Sequence, residues 1–188
     1  MEAKIINKHY TYTDYITWDD DIRYELIDGV PYMMASPSFN HQAIVMEISR
    51  QLGNFLHGKQ CRVFVSPFDV RLNADDKDDT VVQPDILVVC DHSKFFKGGC
   101  KGSPDVIIEV LSPSSASKDK VLKFNKYLQA GVKEYWIVEP DSKVVSAHVL
   151  KDGDYIIKTY DDSGMVPVSV LDGCEIDMVT VFSMISEE

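Results

Sequence analysis

Residues 105–111 restrict the fold of this chain more than any other segment. They read Asp-Val-Ile-Ile-Glu-Val-Leu, and apart from the two acids they are apolar and rich in β-branched side chains. Such a run is typical of a strand that is buried on both faces of a sheet. The segment therefore predicts a central strand. Glu109 is an acid at a position of this strand that is expected to be buried, where a charge does not serve solubility.

A second apolar run, residues 81–89, predicts another strand. It also contains an acid at a position that is expected to be buried. The sequence Gln-Pro-Asp-Ile at 83–86 puts Asp85 at the mouth of this strand. A buried carboxylate costs several kcal/mol unless a cation or hydrogen bonds offset the loss of water. Two strands of one sheet can hold Asp85 and Glu109 around one hard cation such as Mg²⁺, which prefers carboxylate oxygens.

Local signals place further elements around these two strands. Asp28-Gly29 lies between apolar runs and predicts a tight hairpin turn. A helix is expected from a cap at Ser36 or Ser38 to about His57, because apolar side chains recur there at helical spacing. The other predicted strands are residues 61–65, 68–72 and 134–139, and a hairpin of 143–150 with 155–160.

The helix predicted to follow Glu109, at about 118–129, has two distinct faces. Its expected apolar stripe is Val121, Phe124 and Leu128. Asp119, Lys123 and Tyr127 share a different face, because they lie at i, i+4 and i+8. A lysine that returns over two carboxylates can orient a water molecule or stabilise charge developing on a phosphoryl group. Lys123 is the candidate for that role.

Length and composition favour a single domain over residues 1–188. The predicted strands and helices give it an α/β fold, with a mixed central sheet flanked by helices and with additional N- and C-terminal hairpins. The chain is 45% hydrophobic, and no apolar run approaches the roughly 18 residues of a membrane span. The first six residues lack the apolar core and cleavage site of an export signal, which predicts a cytoplasmic protein. The acidic stretch 73–79 is expected to be a solvated loop.

The charge of the chain is acidic overall but unevenly distributed. A net charge of −11 argues against a general nucleic-acid-binding surface, because Lys and Arg supply much of the affinity for a phosphate backbone. Over residues 94–133, however, eight lysines stand against three acids. The four cysteines, at 61, 90, 100 and 174, have no zinc-type spacing and are expected to be reduced structural thiols.

Five motifs occur in order along the chain. They are Tyr-Glu-Leu-Ile-Asp-Gly at 24–29, Gln-Pro-Asp-Ile at 83–86, Ile-Glu-Val-Leu-Ser-Pro-Ser at 108–114, the series Asp119, Lys123 and Tyr127, and residues 131–140. Together they span roughly residues 12–150 and resemble the Uma-type restriction-endonuclease family, a branch of the PD-(D/E)XK nuclease superfamily. The resemblance implies a restriction-endonuclease-like core, which a β-rich extension over 151–188 follows.

The resemblance also implies which residues form the site. Pro84-Asp85 matches the "PD" of the superfamily, and Glu109 matches its second acid. Leu111 stands where the superfamily motif has its lysine. Lys123, on the following helix, is the lysine that matches in this family.

By the same resemblance Glu25 is an additional catalytic acid, and the backbone carbonyl of Val110 is a further metal ligand. The implied function is hydrolysis of DNA phosphodiester bonds by an endonuclease that depends on Mg²⁺ or Mn²⁺. DNA is then the expected partner, no membrane is involved, and a homodimer would suit an enzyme that cuts both strands.

Each of these residues also has a purely structural interpretation. Acids at strand ends often form salt bridges, and most helical lysines, Lys123 included, can simply solvate a surface. Glu25 can face Arg23, and His41 can serve packing or capping as well as substrate contact. Tyr127 is expected to be a core aromatic. The alternative function is a non-catalytic module with a nuclease fold that binds nucleic acid or protein, and the third is a hydrolase of another phosphoester.

Overall fold

The computed structural model describes residues 8–19, 21–112 and 119–186, which form mixed sheets with few helices and confirm the α/β class. The helices are α1 (Tyr12–Tyr15), α2 (Phe39–Leu56), α3 (Phe124–Ala130) and α4 (Met178–Ser183), with a 3-10 turn at His92–Lys94 and a π-helical turn at Asp119–Lys123 that continues into α3. No helix in the described ranges is long and apolar enough to cross a membrane. The export-signal argument concerns residues that lie outside those ranges.

The central sheet has six strands, and the predicted mixed sheet is confirmed. In spatial order they are β12 (Asp154–Tyr160), β11 (Val144–Lys151), β10 (Glu134–Glu139), β9 (Val106–Val110), β6 (Ile86–Val89) and β3 (Arg62–Val65). β9 and β10 are parallel, and the other neighbouring strands are antiparallel. β9, which contains Glu109, lies in the interior of the sheet, as its apolar sequence predicts.

A second sheet of six short strands contains the N-terminal hairpin. Its spatial order is β2 (Val30–Met33), β1 (Tyr24–Ile27), β5 (Val81–Val82), β4 (Asp69–Arg71), β8 (Gly99–Lys101) and β7 (Phe95–Phe96), and a separate hairpin is formed by β13 (Met165–Pro167) and β14 (Glu175–Asp177). Asp28 and Gly29 have φ values of 50° and 72°, as a tight hairpin turn requires. The predicted hairpin at this turn is confirmed.

The two faces of β9 pack against different parts of the molecule. Ile108 and Val110 join a core cluster that includes the apolar face of α2. Ile107, on the opposite face, packs in a second cluster that includes Tyr127 of α3. Because side chains alternate along a strand, Glu109 points to the same side as Ile107 and so towards α3.

The prediction of one strand over residues 81–89 is wrong, because β5 and β6 belong to different sheets. Pro84 has no N–H to offer a ladder, and the Gln83 N–H donates to the side chain of Glu25, at 2.9 Å from Oε1, instead of to a backbone carbonyl. The chain therefore crosses from one sheet to the other at 83–85. This crossing carries Asp85 to the point where the two sheets meet.

The predicted apolar stripe on the helix after Glu109 is right for Phe124 and Leu128, which pack against the second core cluster, and wrong for Val121. The exposed fraction of Val121 is 61%, whereas that of Lys123 is 4% and that of Tyr127 is 0%. The most deeply buried side chains of this helix carry polar groups, because Glu25 and Glu109 provide partners for them. The Asp119 side chain lies outside the described part of the chain.

The expectation that all four cysteines are reduced is wrong for two of them. Cys61 and Cys90 form a disulfide bond. Arg62 pairs with Val89 in the antiparallel ladder of β3 and β6, so the two cysteines occupy the next facing positions. Cys100 and Cys174 are free and buried. Spacing along the chain could not reveal this strand register.

The acidic stretch 73–79 is only partly the solvated loop that the sequence predicts. Asp79 is 1% exposed and accepts a hydrogen bond from Asn73 Nδ2 at 2.7 Å. Asp78 forms a bidentate ion pair with Arg71. Hydrogen-bond and ion-pair partners therefore hold part of this acidic run against the protein instead of leaving it in solvent.

Candidate active site

Asp85 and Glu109 lie opposite each other on adjacent strands of the central sheet. β6 and β9 pair with Ile86 facing Ile108, and the same register places Asp85 across from Glu109. The Asp85 N–H lies 3.5 Å from Glu109 Oε2, and the Val110 N–H donates to Asp85 Oδ2 at 2.8 Å. The two carboxylates are therefore neighbours on one face of the sheet.

Lys123 extends from the π-helical turn towards these carboxylates. Its Nζ lies 2.8 Å from Glu25 Oε1 and 3.0 Å from Glu109 Oε1. The three side chains are at most 8% exposed, so water and salt screen their attraction weakly. The structure brings together Glu25, Glu109 and Lys123 from three distant segments.

Tyr127, which was expected from the sequence to be a core aromatic, is a further member of the site. Its hydroxyl donates to Glu109 Oε1 at 2.6 Å, and the ring is fully buried. Burial, and then the negative charges of Glu109 and Glu25, raise the pKa of Tyr127 well above its usual value, so the hydroxyl stays protonated. The signal in the sequence was its position one helical turn after Lys123.

His41 contacts the other carboxylate of the pair. It lies in the first turn of α2, where Ser38 Oγ accepts a hydrogen bond from the His41 N–H at 3.2 Å. His41 Nε2 is 3.1 Å from Asp85 Oδ2, whereas the buried Nδ1 has no hydrogen-bond partner in the described structure. This pattern fits the neutral tautomer that carries its proton on Nε2, and it makes His41 a donor that orients Asp85.

A cavity of about 350 Å³ opens beside these residues. Its polar lining includes Arg23, Glu25, His41, Gln83, Asp85, Glu109 and Lys123, and its apolar lining comes largely from β2 and the segment that follows it. All four residues predicted to be catalytic, together with Val110, therefore line one space.

The donor set of this cavity fits a hard, partly hydrated divalent cation better than zinc. Within the described ranges, no three His, Cys, Asp or Glu side chains come together in a metal-binding arrangement. Asp85 Oδ2 accepts both of the hydrogen bonds to that carboxylate, which leaves Oδ1 without a partner among the described residues. Mg²⁺ is commonly held by one or two carboxylates and keeps several waters, which Asp85 and Glu109 can satisfy.

Three lysines of the segment 94–133 form ion pairs within the molecule. Lys126 Nζ lies 2.6 Å from Asp28, Lys133 Nζ lies 2.6 Å from Asp105, and Lys123 contacts two glutamates. The count of eight lysines therefore overstates the positive charge that this segment offers to a ligand.

The fold defined by these sheets resembles that of a solved nuclease-type protein. The structure is the "crystal structure of a putative nuclease belonging to DUF820" from Anabaena variabilis ATCC 29413. It superposes with a TM-score of 0.75 at 20% identity, over 93% of this chain and 98% of that chain. At this identity the likeness establishes the class of fold alone.

Residues 12–179 match the Uma2 family, described as "Putative restriction endonuclease". The chain belongs to this family, as its motifs indicate. Two relatives come from Synechocystis sp. (strain ATCC 27184 / PCC 6803 / Kazusa). "Uncharacterized protein slr1290" is 29% identical over 80% of both chains, and "Uncharacterized protein sll1609" is 32% identical over 69% of this chain and 73% of the relative.

Proposed function

We propose that this protein is a divalent-metal-dependent endonuclease that hydrolyses phosphodiester bonds in DNA. The observation that carries the proposal is the facing pair Asp85 and Glu109, which lines a cavity beneath the buried Lys123. Family membership supports DNA as the substrate class. A homodimer located in the cytoplasm and formed from single-domain chains is part of the same proposal.

Asp85 and Glu109 would hold Mg²⁺ or Mn²⁺, with the Val110 carbonyl as a further ligand. Restriction-endonuclease-like families typically use a divalent metal ion. When bound, this ion supplies a Lewis acid that polarises a phosphoryl oxygen and lowers the pKa of a coordinated water. His41 keeps Asp85 oriented through its contact with Oδ2.

Lys123 orients the attacking water and stabilises the negative charge that develops on the phosphoryl group. Glu25 and Glu109 hold its ammonium group from two sides, so the lysine is positioned before substrate arrives. Glu25 is in turn fixed by the Gln83 N–H. Such preorganisation reduces the cost of rearrangement during the reaction.

The direct test is a cleavage assay on supercoiled, linear duplex and single-stranded DNA with Mg²⁺ or Mn²⁺. We expect cleavage that EDTA abolishes and that is lost in Asp85→Asn and Glu109→Gln. Asp105→Asn is the matched control, because Asp105 is a buried acid that precedes the same β9 but lies outside the cavity. Absence of cleavage by the wild-type protein, beside an active reference nuclease, would contradict the proposal.

The alternative, a non-catalytic module with this fold, is favoured by one observation. Lys123 already pairs with both glutamates, so those acids are satisfied without a metal ion. Thermal unfolding with Mn²⁺ separates the two functions. The endonuclease should be stabilised by about 2.7 kcal/mol when free Mn²⁺ is about 100 times Kd, and Asp85→Ala should remove this effect. A module without a metal site would show no stabilisation in either protein.

A further inference from the structure

Arg23 directly precedes β1 and lines the same side of the cavity as Glu25. Side chains alternate along a strand, and Arg23, Glu25 and Ile27 all line the cavity. The Met34 N–H donates to the Arg23 carbonyl at 2.9 Å, so the hairpin ladder extends to this residue. The backbone beneath the guanidinium is therefore held by the sheet.

The guanidinium of Arg23 is positioned by neutral acceptors. Its Nη2 donates to Ser66 Oγ at 2.8 Å and to Gln83 Oε1 at 3.2 Å, and it lies 3.7 Å from Met34 Sδ. Its Nε and Nη1 have no hydrogen-bond partner in the described structure. A guanidinium presents its N–H groups in a planar fork that matches the oxygens of a phosphate.

The guanidinium of Arg23 contacts no carboxylate within the described ranges, although three carboxylates line the same cavity. Lys123, the other cation of the lining, pairs with two of them, Glu25 and Glu109. The third, Asp85, contacts His41. The Arg23 guanidinium is therefore available to an anion that enters the cavity.

We infer that Arg23 is a substrate-binding residue that holds a phosphate group of the nucleic acid at the mouth of the cavity. This inference rests on the proposed function for the class of substrate. Ser66 and Gln83 hold Nη2 of the guanidinium, and the N–H groups of Nε and Nη1 remain to donate to phosphate oxygens. Gln83 also donates its backbone N–H to Glu25, so one residue aligns the phosphate-binding arginine with the glutamate that holds Lys123.

The test measures binding rather than cleavage, in a protein that also carries Asp85→Asn so that the DNA stays intact. Short labelled duplex and single-stranded DNA are titrated at several salt concentrations, and fluorescence anisotropy gives Kd. We expect Arg23→Gln to weaken binding about tenfold, because a charge-assisted contact is lost. The slope of log K against log salt should fall in magnitude by about 1.

Two further variants separate charge from structure. Arg23→Lys keeps the charge but not the planar fork, so it should retain the salt slope while binding more weakly than Arg23. Arg62→Gln is the matched control. Among the described residues Arg62 also contacts only neutral acceptors, the carbonyls of Lys59, Gln60 and Cys61, and it does not line the cavity. Arg62→Gln should bind DNA as tightly as the parent protein.

The inference is overturned if the parent protein, which carries only Asp85→Asn, does not bind DNA. It is also overturned if Arg23→Gln and Arg62→Gln bind DNA with the same Kd. Binding that depends on Arg23 in a protein that cleaves no DNA with either metal would refute the proposed endonuclease but leave the inference intact. Cleavage by the wild-type protein, with no effect of Arg23→Gln on Kd, would support the proposed endonuclease and refute the inference about Arg23.

Discussion

At Lys123 a single ammonium group pairs with two buried carboxylates. Lys123→Met keeps much of the stem and removes the charge, so Glu25 and Glu109 lose their shared cation. Breaking a buried pair in this way typically costs about 3–5 kcal/mol, because the remaining charge is buried without a cation beside it. We expect a decrease of this size in the free energy of unfolding, measured by urea denaturation at neutral pH.

Lys126→Met is the control, because it removes a lysine from the same helix region. Its partner Asp28 has a side chain that is 61% exposed. An exposed ion pair contributes less than about 1 kcal/mol. Equal decreases in the free energy of unfolding of the two variants would contradict the expectation that the ion pairs of Lys123 contribute more because they are buried.

Tyr127 stabilises the ionised form of Glu109 through one short hydrogen bond. Tyr127→Phe removes only the hydroxyl, and hydrogen bonds to charged groups contribute about 1.5–3 kcal/mol. Tyr155→Phe is the matched control, since that buried hydroxyl donates to the neutral Val132 carbonyl at 2.9 Å. We expect the free energy of unfolding to fall more in Tyr127→Phe, and a larger loss in Tyr155→Phe would refute this assignment.

Among the elements, β3 and β6 are joined covalently as well as by their ladder. The disulfide between Cys61 and Cys90 closes a loop with a sequence separation of 29. Such a cross-link restricts the unfolded chain, and its loss typically costs about 2–4 kcal/mol. We expect a reductant to lower the free energy of unfolding by this amount.

The control for the disulfide is the double variant Cys61→Ala with Cys90→Ala, whose stability should not respond to reductant. Burial raises the pKa of Cys100 and of Cys174 to about 11, so both thiols stay protonated and react slowly. Rapid labelling of thiols in the native protein should therefore require prior reduction. Fast labelling without reductant would show that Cys61 and Cys90 are not bonded.

For the whole molecule, one buried histidine makes stability depend on pH. Burial lowers the pKa of His148 in the folded state below its ordinary value of 6.5. The unfolded chain then takes up a proton at higher pH than the folded chain, so the stabilisation is complete above about pH 6.5 and is lost as the pH falls. The free energy of unfolding should decrease with acidification over this range.

His148→Asn isolates this contribution. The ring Nδ1 of His148 lies 3.1 Å from the Tyr135 carbonyl, and an asparagine amide can donate to the same oxygen without titrating. Urea unfolding across the range from neutral to about pH 5 should show a weaker pH dependence in the variant than in the wild-type protein. Identical pH profiles would contradict the assignment to His148.

The fold was predictable wherever burial depends on apolar side chains. β9 and β10 are continuous apolar runs, and Asp28-Gly29 favours a tight turn through its own backbone preferences. These signals are local, so sequence alone identified the mixed sheet and the main hairpins. Asp85 and Glu109 could also be identified from local sequence, because each interrupts an apolar run.

The tertiary structure alone decided which polar groups are buried and with which partners. Lys123 carries no local mark of burial, and it faces inward because Glu25 and Glu109 arrive there from other strands. The partner of the Tyr127 hydroxyl, Glu109, is likewise set by the packing. The disulfide likewise depends on the register of β3 against β6, and the role inferred for Arg23 depends on acceptors from two other segments. A hydrophobic pattern reports the transfer of a side chain from water, whereas the burial of a polar group depends on partners that are distant in sequence.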